Sequence, residues 1–413
     1  MLFVLPAPVA RALDLLEAAG HAAYVVGGCV RDWALGMTPH DYDICTSAVP
    51  EEMKRIFRGE KTVETGIRHG TLTVIMMGMP LEITAFRVDG DYEDGRHPSS
   101  VRFTDRIEED LSRRDFTVNA MAYSPARGLV DPFGGRRDCQ DGVIRCVGEP
   151  DRRFEEDALR ILRALRFSAR LGFPVEETTA ASLRRGRERL GCVSRERIAA
   201  ELTGLLLGKE AGRVLAAYPE VLAAAVPELR PLTESPSWAL TARRVAAAPP
   251  WEDVRWAALL MNGAADGGEA LARNVLKGLK LPNRITEETA ALLRWAGAAV
   301  TPGNAQETLM RLGPAGTEAL ICLQAADGTA RGGAQDAERK AAAAREKVRG
   351  LMDAGACYTL AQLAVGGREL AELGLRGPGI GETLQELLLR VTRGELPNDR
   401  EALLAAARKR IGS

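Results

Sequence analysis

Every convincing β-type run in this chain lies before residue 145, and the remainder is patterned as helix. Residues 23–26, 42–45, 72–76 and 82–86 are rich in β-branched, aromatic and other apolar residues and read as strands. Residues 50–58, opened by a proline, read as a helix between them. From residue 151 the apolar positions recur at helical spacing, as in Leu159, Leu162, Leu165 and Ala169. Gly172, Pro174, Gly191, Pro219, Pro227, Pro231, Pro282, Pro302 and Pro314 punctuate a series of helices. Residues 335–347, dense in Ala, Glu, Lys and Arg, read as an exposed helix, and no fixed-period repeat is present. The pattern therefore predicts an α+β protein: a small mixed-sheet head, then roughly 260 residues of helix.

Within the head, Gly27-Gly28-Cys29-Val30-Arg31-Asp32 is a glycine turn leading into a helix start, followed closely by Asp41-Tyr42-Asp43. Strand side chains alternate, so Asp41 and Asp43 on a strand would project from one side. Two carboxylates beside a turn with free backbone N–H groups suit a divalent cation and a polyphosphate. A lone Asp-x-Asp is common as a pair of solvated acids; the adjoining Gly27, Gly28 and Arg31 raise its weight. Glu82, mid-strand among apolar neighbours, either faces solvent or reaches the same metal. Two Mg²⁺ ions there would activate a 3′-hydroxyl and neutralise departing pyrophosphate. The chemistry indicated is nucleotidyl transfer.

Two downstream segments bear on which nucleotide is used. Arg113-Arg114 follows a helix whose start is expected at Asp105 with Glu108. Adjacent arginines are often a solvated helix end, but beside a phosphate site one can grip triphosphate oxygens as a fork. Asp157 and Arg160 then stand three residues apart, so on one helix their heads would meet. As a surface ion pair this is worth a few tenths of a kcal/mol. As a base reader it is more consequential. Cytosine and adenine both place an exocyclic amine beside an acceptor nitrogen, so a carboxylate and a guanidinium together satisfy either base. Uracil and guanine present the reverse pattern, at a cost of about 1–3 kcal/mol per mispaired contact. Arg163 and Arg166 continue the row.

Charge and cysteine usage set the context. Net charge is −1, so nucleic-acid contact requires a local basic face. Between Arg152 and Arg197 there are twelve arginines and no lysines against seven acids, a surplus of five. That surplus suits an RNA backbone; a salt-bridged, solvated helix pair reads equally from the same residues. Seven cysteines without a CxxC pair argue against both a disulfide framework and a zinc ribbon, and fit a reducing compartment. The N-terminal residues lack the basic and apolar regions of an export signal, and no run approaches a membrane span. A cytoplasmic protein with no membrane role is expected.

Gly204 to Glu210 falls one residue short of a Walker A loop and lacks its Ser/Thr, so it is rejected. Gly377-Pro378-Gly379-Ile380-Gly381 reads as a helix-opening turn. The only histidines, His21, His40, His69 and His97, all precede residue 100, which leaves no zinc cluster and no C-terminal HD phosphohydrolase domain.

Taken in order, the motifs resemble a class II tRNA nucleotidyltransferase, the CCA-adding enzyme of the polymerase-β superfamily, in a short form without an HD domain. The matching pieces are Gly27 to Asp32, Asp41-Tyr42-Asp43, Arg113-Arg114-Asp115-Phe116-Thr117-Val118-Asn119-Ala120, Asp131-Pro132-Phe133-Gly134-Gly135 and Glu156 to Arg160. Ser194 to Leu202, Leu370 to Leu375, Gly377 to Gly381 and Gly394 to Glu401 continue the likeness.

The resemblance implies an elongated molecule divided into a head (1–145), a helical neck that binds nucleotide and RNA (146–231), and a helical body and tail that bind tRNA (232–413). It implies Asp41 and Asp43 as metal ligands, with Glu82 the third catalytic carboxylate. It implies Gly28, Arg31, Arg114, Asp157, Arg160, Arg163 and Arg166 as nucleotide contacts, Mg²⁺ as cofactor, tRNA as partner, and CTP and ATP as substrates. The expected activity is template-independent addition of CCA to the tRNA 3′ end with release of pyrophosphate.

Competing readings are A-only addition or poly(A) synthesis, CC-only addition, a small-molecule nucleotidyltransferase, and a non-catalytic RNA-binding homologue. Residues 89–100 read as a mobile loop. Asp94-Gly95-Arg96-His97-Pro98 within it resembles the flexible element that the C-to-A switch needs, which disfavours CC-only addition. Whether the protein is a monomer or a homodimer is left open by the sequence.

Overall fold

The computed structural model describes residues 3–90, 101–261 and 268–411. The expected mobile loop, including Asp94 to Pro98, lies outside the described residues from position 91 onward. The chain forms two compact units: Met1–Glu210 with Tyr218–Pro227, and Ala211–Ala217 with Glu228–Ser413.

The first unit carries the sheet. Its strands are β1 (Ala23–Val26), β2 (Asp43–Thr46), β3 (Lys61–Val63), β4 (Thr71–Met76), β5 (Met79–Ala85), β6 (Arg87–Asp89), β7 (Val101–Phe103), β8 (Ala122–Ser124) and β9 (Gly128–Val130). Seven of these form one sheet in the order β3-β4-β5-β2-β1-β8-β9, and β6 and β7 pair separately. The β2–β5 pair is parallel and the other pairs are antiparallel, so the sheet of the α+β head is mixed. β1 is buried along its whole length, which explains its unbroken apolar run. β4 instead alternates half-buried and buried positions, the mark of a strand with one face on the core.

Sequence pattern missed β3 and β6 to β9, each three residues long. Runs that short carry too few positions for alternation to show.

Helices α1 (Ala7–Ala18), α2 (Gly28–Ala34), α3 (Pro50–Ile56), α4 (Ile107–Ser112) and α5 (Gly135–Asp141) accompany the sheet. α4 does not start as expected: Arg106 is its N-cap, and the Thr104 hydroxyl accepts from Arg106 N and donates to Glu109.

The rest of the unit is helical. It includes α6 (Pro150–Glu156), α7 (Leu159–Leu171), α8 (Glu177–Gly186) and α9 (Arg195–Leu206). Leu159, Leu162, Leu165 and Ala169 all lie on the buried side of α7, and Gly172 ends that helix in the left-handed region. Gly204 sits inside α9, which agrees with rejecting a phosphate loop there.

The second unit is helical throughout its described residues. The span Ala305–Ala330 is two helices broken at Gly313 (φ 67°, ψ 176°), where Pro314 has no N–H to continue the ladder. The helix expected at 335–347 spans Ala334–Asp353 and buries a stripe of Ala337, Ala341 and Ala344. Arg244, on the helix Trp238–Ala247, is wholly buried and donates to Asp327 at 2.6–2.7 Å and to the Ala258 carbonyl. Burial pulls the Arg244 pKa down and Asp327 opposes this. Gly377 opens the helix Pro378–Thr392, in line with its reading as a turn.

Candidate active site

The acidic edge of the head is built by strand register. β1 ends at Val26, which pairs with Asp43, so the Gly27 turn and the first residue of β2 adjoin. Gly27 has φ 72° and ψ −126°, a backbone that L side chains rarely adopt. A side chain there would also stand 3.2 Å from Arg114 Nη1, so the glycine gives both the turn and the space for a guanidinium.

Asp41 precedes the strand, because β2 begins at Asp43. The alternation argument for Asp41 and Asp43 therefore does not apply. The partner that register supplies is Glu82, directly opposite Asp43 in the parallel β2–β5 pair. Neighbouring strands present directly paired residues on the same face, so Glu82 joins Asp43. Asp41, Asp43 and Glu82 are all solvent-exposed.

Desolvation raises the pKa of Asp43, Arg114 lowers it, and Glu82 and Asp41 raise it further. Electrostatically, then, the three carboxylates and Arg114 form one neighbourhood. Among the described residues no three His, Cys, Asp or Glu side chains are poised together as a complete metal cage. That donor set still fits Mg²⁺, which binds through one or two carboxylates and completes its shell with water and substrate phosphates.

Arg114 reaches this edge from just beyond α4. Its Nη2 lies 3.3 Å from Asp110 Oδ2, while its Nε is buried with no hydrogen-bond partner. Arg113 turns the other way and closes on Asp110 Oδ1 through Nε and Nη2 at 3.1 and 2.6 Å. Burial pushes the Asp110 carboxyl up, Arg113 and Arg114 more than offset it, and the net shift is downward. Arg31 is 3 % exposed and fully engaged: Nε and Nη2 donate to Asp32, and Nη1 donates to Asn119 at 2.7 Å.

The α6–α7 region departs from the expected geometry. Asp157 and Arg160 do not share a helix. The chain leaves α6 at Asp157 in an extended conformation (φ −149°, ψ 104°), and α7 starts two residues later. The two side chains take different partners. Asp157 accepts from Leu159 N at 3.0 Å and from Arg197 at 2.7 Å. Arg160 donates to Glu156 at 2.7 Å and to the carbonyls of Arg153 and Arg113 at 3.2 and 3.1 Å. A local carboxylate-to-amide bond competes with helix at Asp157, the usual behaviour of aspartate at a helix start.

Arg163 and Arg166 follow Arg160 at three-residue steps on a helix of 3.6 residues per turn, so the row fans out by about 60° per step. Arg163 pairs with Asp115 at 2.7 Å, and Arg166 pairs with Glu201. Burial raises the Asp115 pKa, Arg163 outweighs it, and the carboxyl ends below its ordinary range. A Cβ at Gly204 would lie 2.6 Å from Arg166 Cδ, so that glycine lets the side chain pass.

The structure therefore gathers Asp43, Glu82, Asp41 and Arg114 at one edge beside Gly27 and Gly28. It places Arg31, Arg163 and Arg166 around the Phe167 ring. It gives the side chains of Asp157 and Arg160 different partners. Sequence reasoning gave no individual role to Asp110, Asp115, Asn119, Arg197, Glu201 or Phe167, although all but Asp110 lie in or directly beside segments it quoted. Which acceptor holds which arginine depends on pairings far apart in the chain, 88 residues for Arg31 and the Asn119 amide and 48 for Arg163 and Asp115. Other arginines of the basic stretch are also paired, among them Arg185 with Asp151 and Arg189 with Glu155. The described cysteines form no disulfide, and all but Cys192 are buried. No helix of the described residues is long and apolar enough to cross a membrane.

Comparison with known proteins places this geometry. The Poly A polymerase head domain family matches residues 23–145, and a family described as tRNA nucleotidyltransferase domain 2, putative, matches residues 250–407. The CCA-adding enzyme of Geobacillus thermodenitrificans is 37% identical over 408 residues, covering 96% of each chain. That of Limosilactobacillus fermentum is 36% identical over 410 residues, covering 97% of this chain and 96% of its own. The crystal structure of the Bacillus stearothermophilus CCA-adding enzyme in complex with CTP superposes with a TM-score of 0.79. It is 32% identical and covers 99% of this chain and 98% of its own.

Proposed function

The chain belongs to the CCA-adding enzyme family, and on that premise we propose how its residues divide the work of building CCA on tRNA. It is a tRNA nucleotidyltransferase that adds CCA to the tRNA 3′ end, with tRNA and nucleotide as its partners. Enzymes of this class use divalent metal ions; here we assign Mg²⁺, with ATP joining CTP as substrate and the cytoplasm as the compartment.

The observation that carries the site assignment is the Asp43–Glu82 register beside the Gly27 turn. Asp41 and Asp43 hold the metal, and Glu82 adds the third carboxylate. Metal bound there supplies charge neutralisation for the triphosphate and activation of the attacking 3′-hydroxyl. Arg114, with its buried and unpartnered Nε, donates to phosphate oxygens. Gly28 lets the backbone approach the same phosphates, and Arg31, Arg163 and Arg166 contribute cations as further nucleotide contacts.

Asp157 and Arg160 read the base: the carboxylate accepts from the cytosine or adenine amine, and the guanidinium donates to the neighbouring ring nitrogen. Arg160 is held by Glu156 and two carbonyls, so reading the base requires it to exchange partners. We assign 1–145 as head, 146–231 as neck and 232–413 as body and tail.

The test of the base reader is selectivity. Arg160→Ala is expected to narrow the preference for CTP and ATP over UTP and GTP by about tenfold, from the loss of one base contact worth about 1–3 kcal/mol. Competitive incorporation from mixed nucleotides measures it. Unchanged selectivity would place base reading elsewhere.

A further inference from the structure

Three guanidinium groups converge on one aromatic ring. The Cζ atoms of Arg166, Arg31 and Arg163 lie 4.4, 5.5 and 5.6 Å from the Phe167 centroid. All are within the roughly 6 Å over which a ring quadrupole attracts a cation. Phe167 is 5 % exposed, and Phe116 meets it edge-on at 5.8 Å with an interplanar angle of 76°. The ring is thus both desolvated and held in its plane, the conditions under which the attraction is largest.

Like charges this close repel, and two influences oppose the repulsion. Asp32, Asp115 and Glu201, each less than 10 % exposed, accept from Arg31, Arg163 and Arg166 respectively. Those bonds consume donors. The ring consumes none, because its negative face attracts a guanidinium without accepting an N–H in the plane. Arg166 shows the consequence: among the described residues it donates through Nε to Glu201, and its two terminal nitrogens make no hydrogen bond. An aliphatic side chain would fill the same space without this attraction.

We propose that Phe167 is a positioning residue for the incoming nucleotide, its ring face holding Arg31, Arg163 and Arg166 as a convergent array that receives the anionic triphosphate. The proposal rests on the assignment of those arginines as nucleotide contacts. The ring meets the guanidiniums rather than the substrate, so it acts through them.

The experiment replaces Phe167 in the full chain with mono-, di- and trifluorinated phenylalanine. Fluorination drains the negative ring face while nearly preserving its shape, so a packing role alone is blind to it. The dissociation constant for CTP with Mg²⁺, measured by calorimetry, is expected to rise stepwise to about tenfold at the trifluorinated ring. Phe167→Leu should weaken CTP at least as much, and the fluorinated series decides the question if that variant folds poorly. Affinity independent of fluorination overturns the proposal. Arg163→Ala and Arg166→Ala, measured in parallel, separate the two layers. If they weaken CTP while fluorination does not, the ring's role alone fails. If neither changes affinity, the nucleotide assignment fails with it.

Discussion

Asp43→Ala is expected to reduce nucleotide transfer by about 10³-fold or more, since losing a metal ligand forfeits several kcal/mol of charge stabilisation in the transition state. Binding of tRNA should stay within about twofold, because the carboxylate contributes no attraction to a phosphate backbone. Asp41→Ala should behave similarly. Glu82 distinguishes a ligand from a bystander: its register with Asp43 puts it on the same face, so Glu82→Gln is expected to impair transfer too. Single-turnover incorporation of labelled CMP, with filter binding of tRNA in parallel, makes the comparison. Full turnover by the Asp43 variant would remove the metal assignment.

The second large effect is on stability and arises far from the chemistry in sequence. Asp327→Ala removes the carboxylate that wholly buried Arg244 holds at 2.6–2.7 Å, leaving a buried cation without its counter-charge. Breaking such a pair from one side costs about 3–5 kcal/mol. Replacing both partners with apolar residues, as in Arg244→Met with Asp327→Leu, should recover most of the loss, because the desolvation of both charges is then avoided. Urea unfolding of the three variants gives the values. A loss below about 1 kcal/mol in Asp327→Ala would mean that the pair contributes no more than a surface bridge.

What was legible in the sequence follows from how far each signal reaches along the chain. The strand 23–26 was found at its true bounds because its four buried residues form an unbroken apolar run. The 42–45 run was placed one residue early, since Tyr42 looks like strand while the ladder starts at Asp43. The alternation argument for Asp41 and Asp43 needs both residues on the strand, whereas the neighbour supplied by pairing is Glu82, 39 positions away. Glu82 on its own reads from sequence as solvent-facing or metal-reaching with equal weight, and beside Asp41 and Asp43 it leans to metal; its register with Asp43 supports that lean.

The Asp157–Arg160 pair shows the opposite failure. Three-residue spacing implies contact only when both residues are helical, and a local bond from Asp157 to Leu159 N breaks the helix there. Phe167 was given no role from the sequence, where it stands as one more apolar residue next to Arg166. The sequence does place arginines at 163 and 166 beside it. Their convergence with Arg31 on the ring needs the tertiary fold.

The central claim is that this chain adds C, C and A in that order without a template. The direct measurement is extension of a tRNA transcript lacking its three terminal nucleotides, with purified protein, Mg²⁺ and equimolar CTP and ATP, resolved at single-nucleotide level. The account predicts products at plus one and plus two with CTP alone, a single further addition when ATP is present, and termination there across several tRNAs. Addition of A alone, a growing A tail, or arrest after CC with ATP in excess would contradict it.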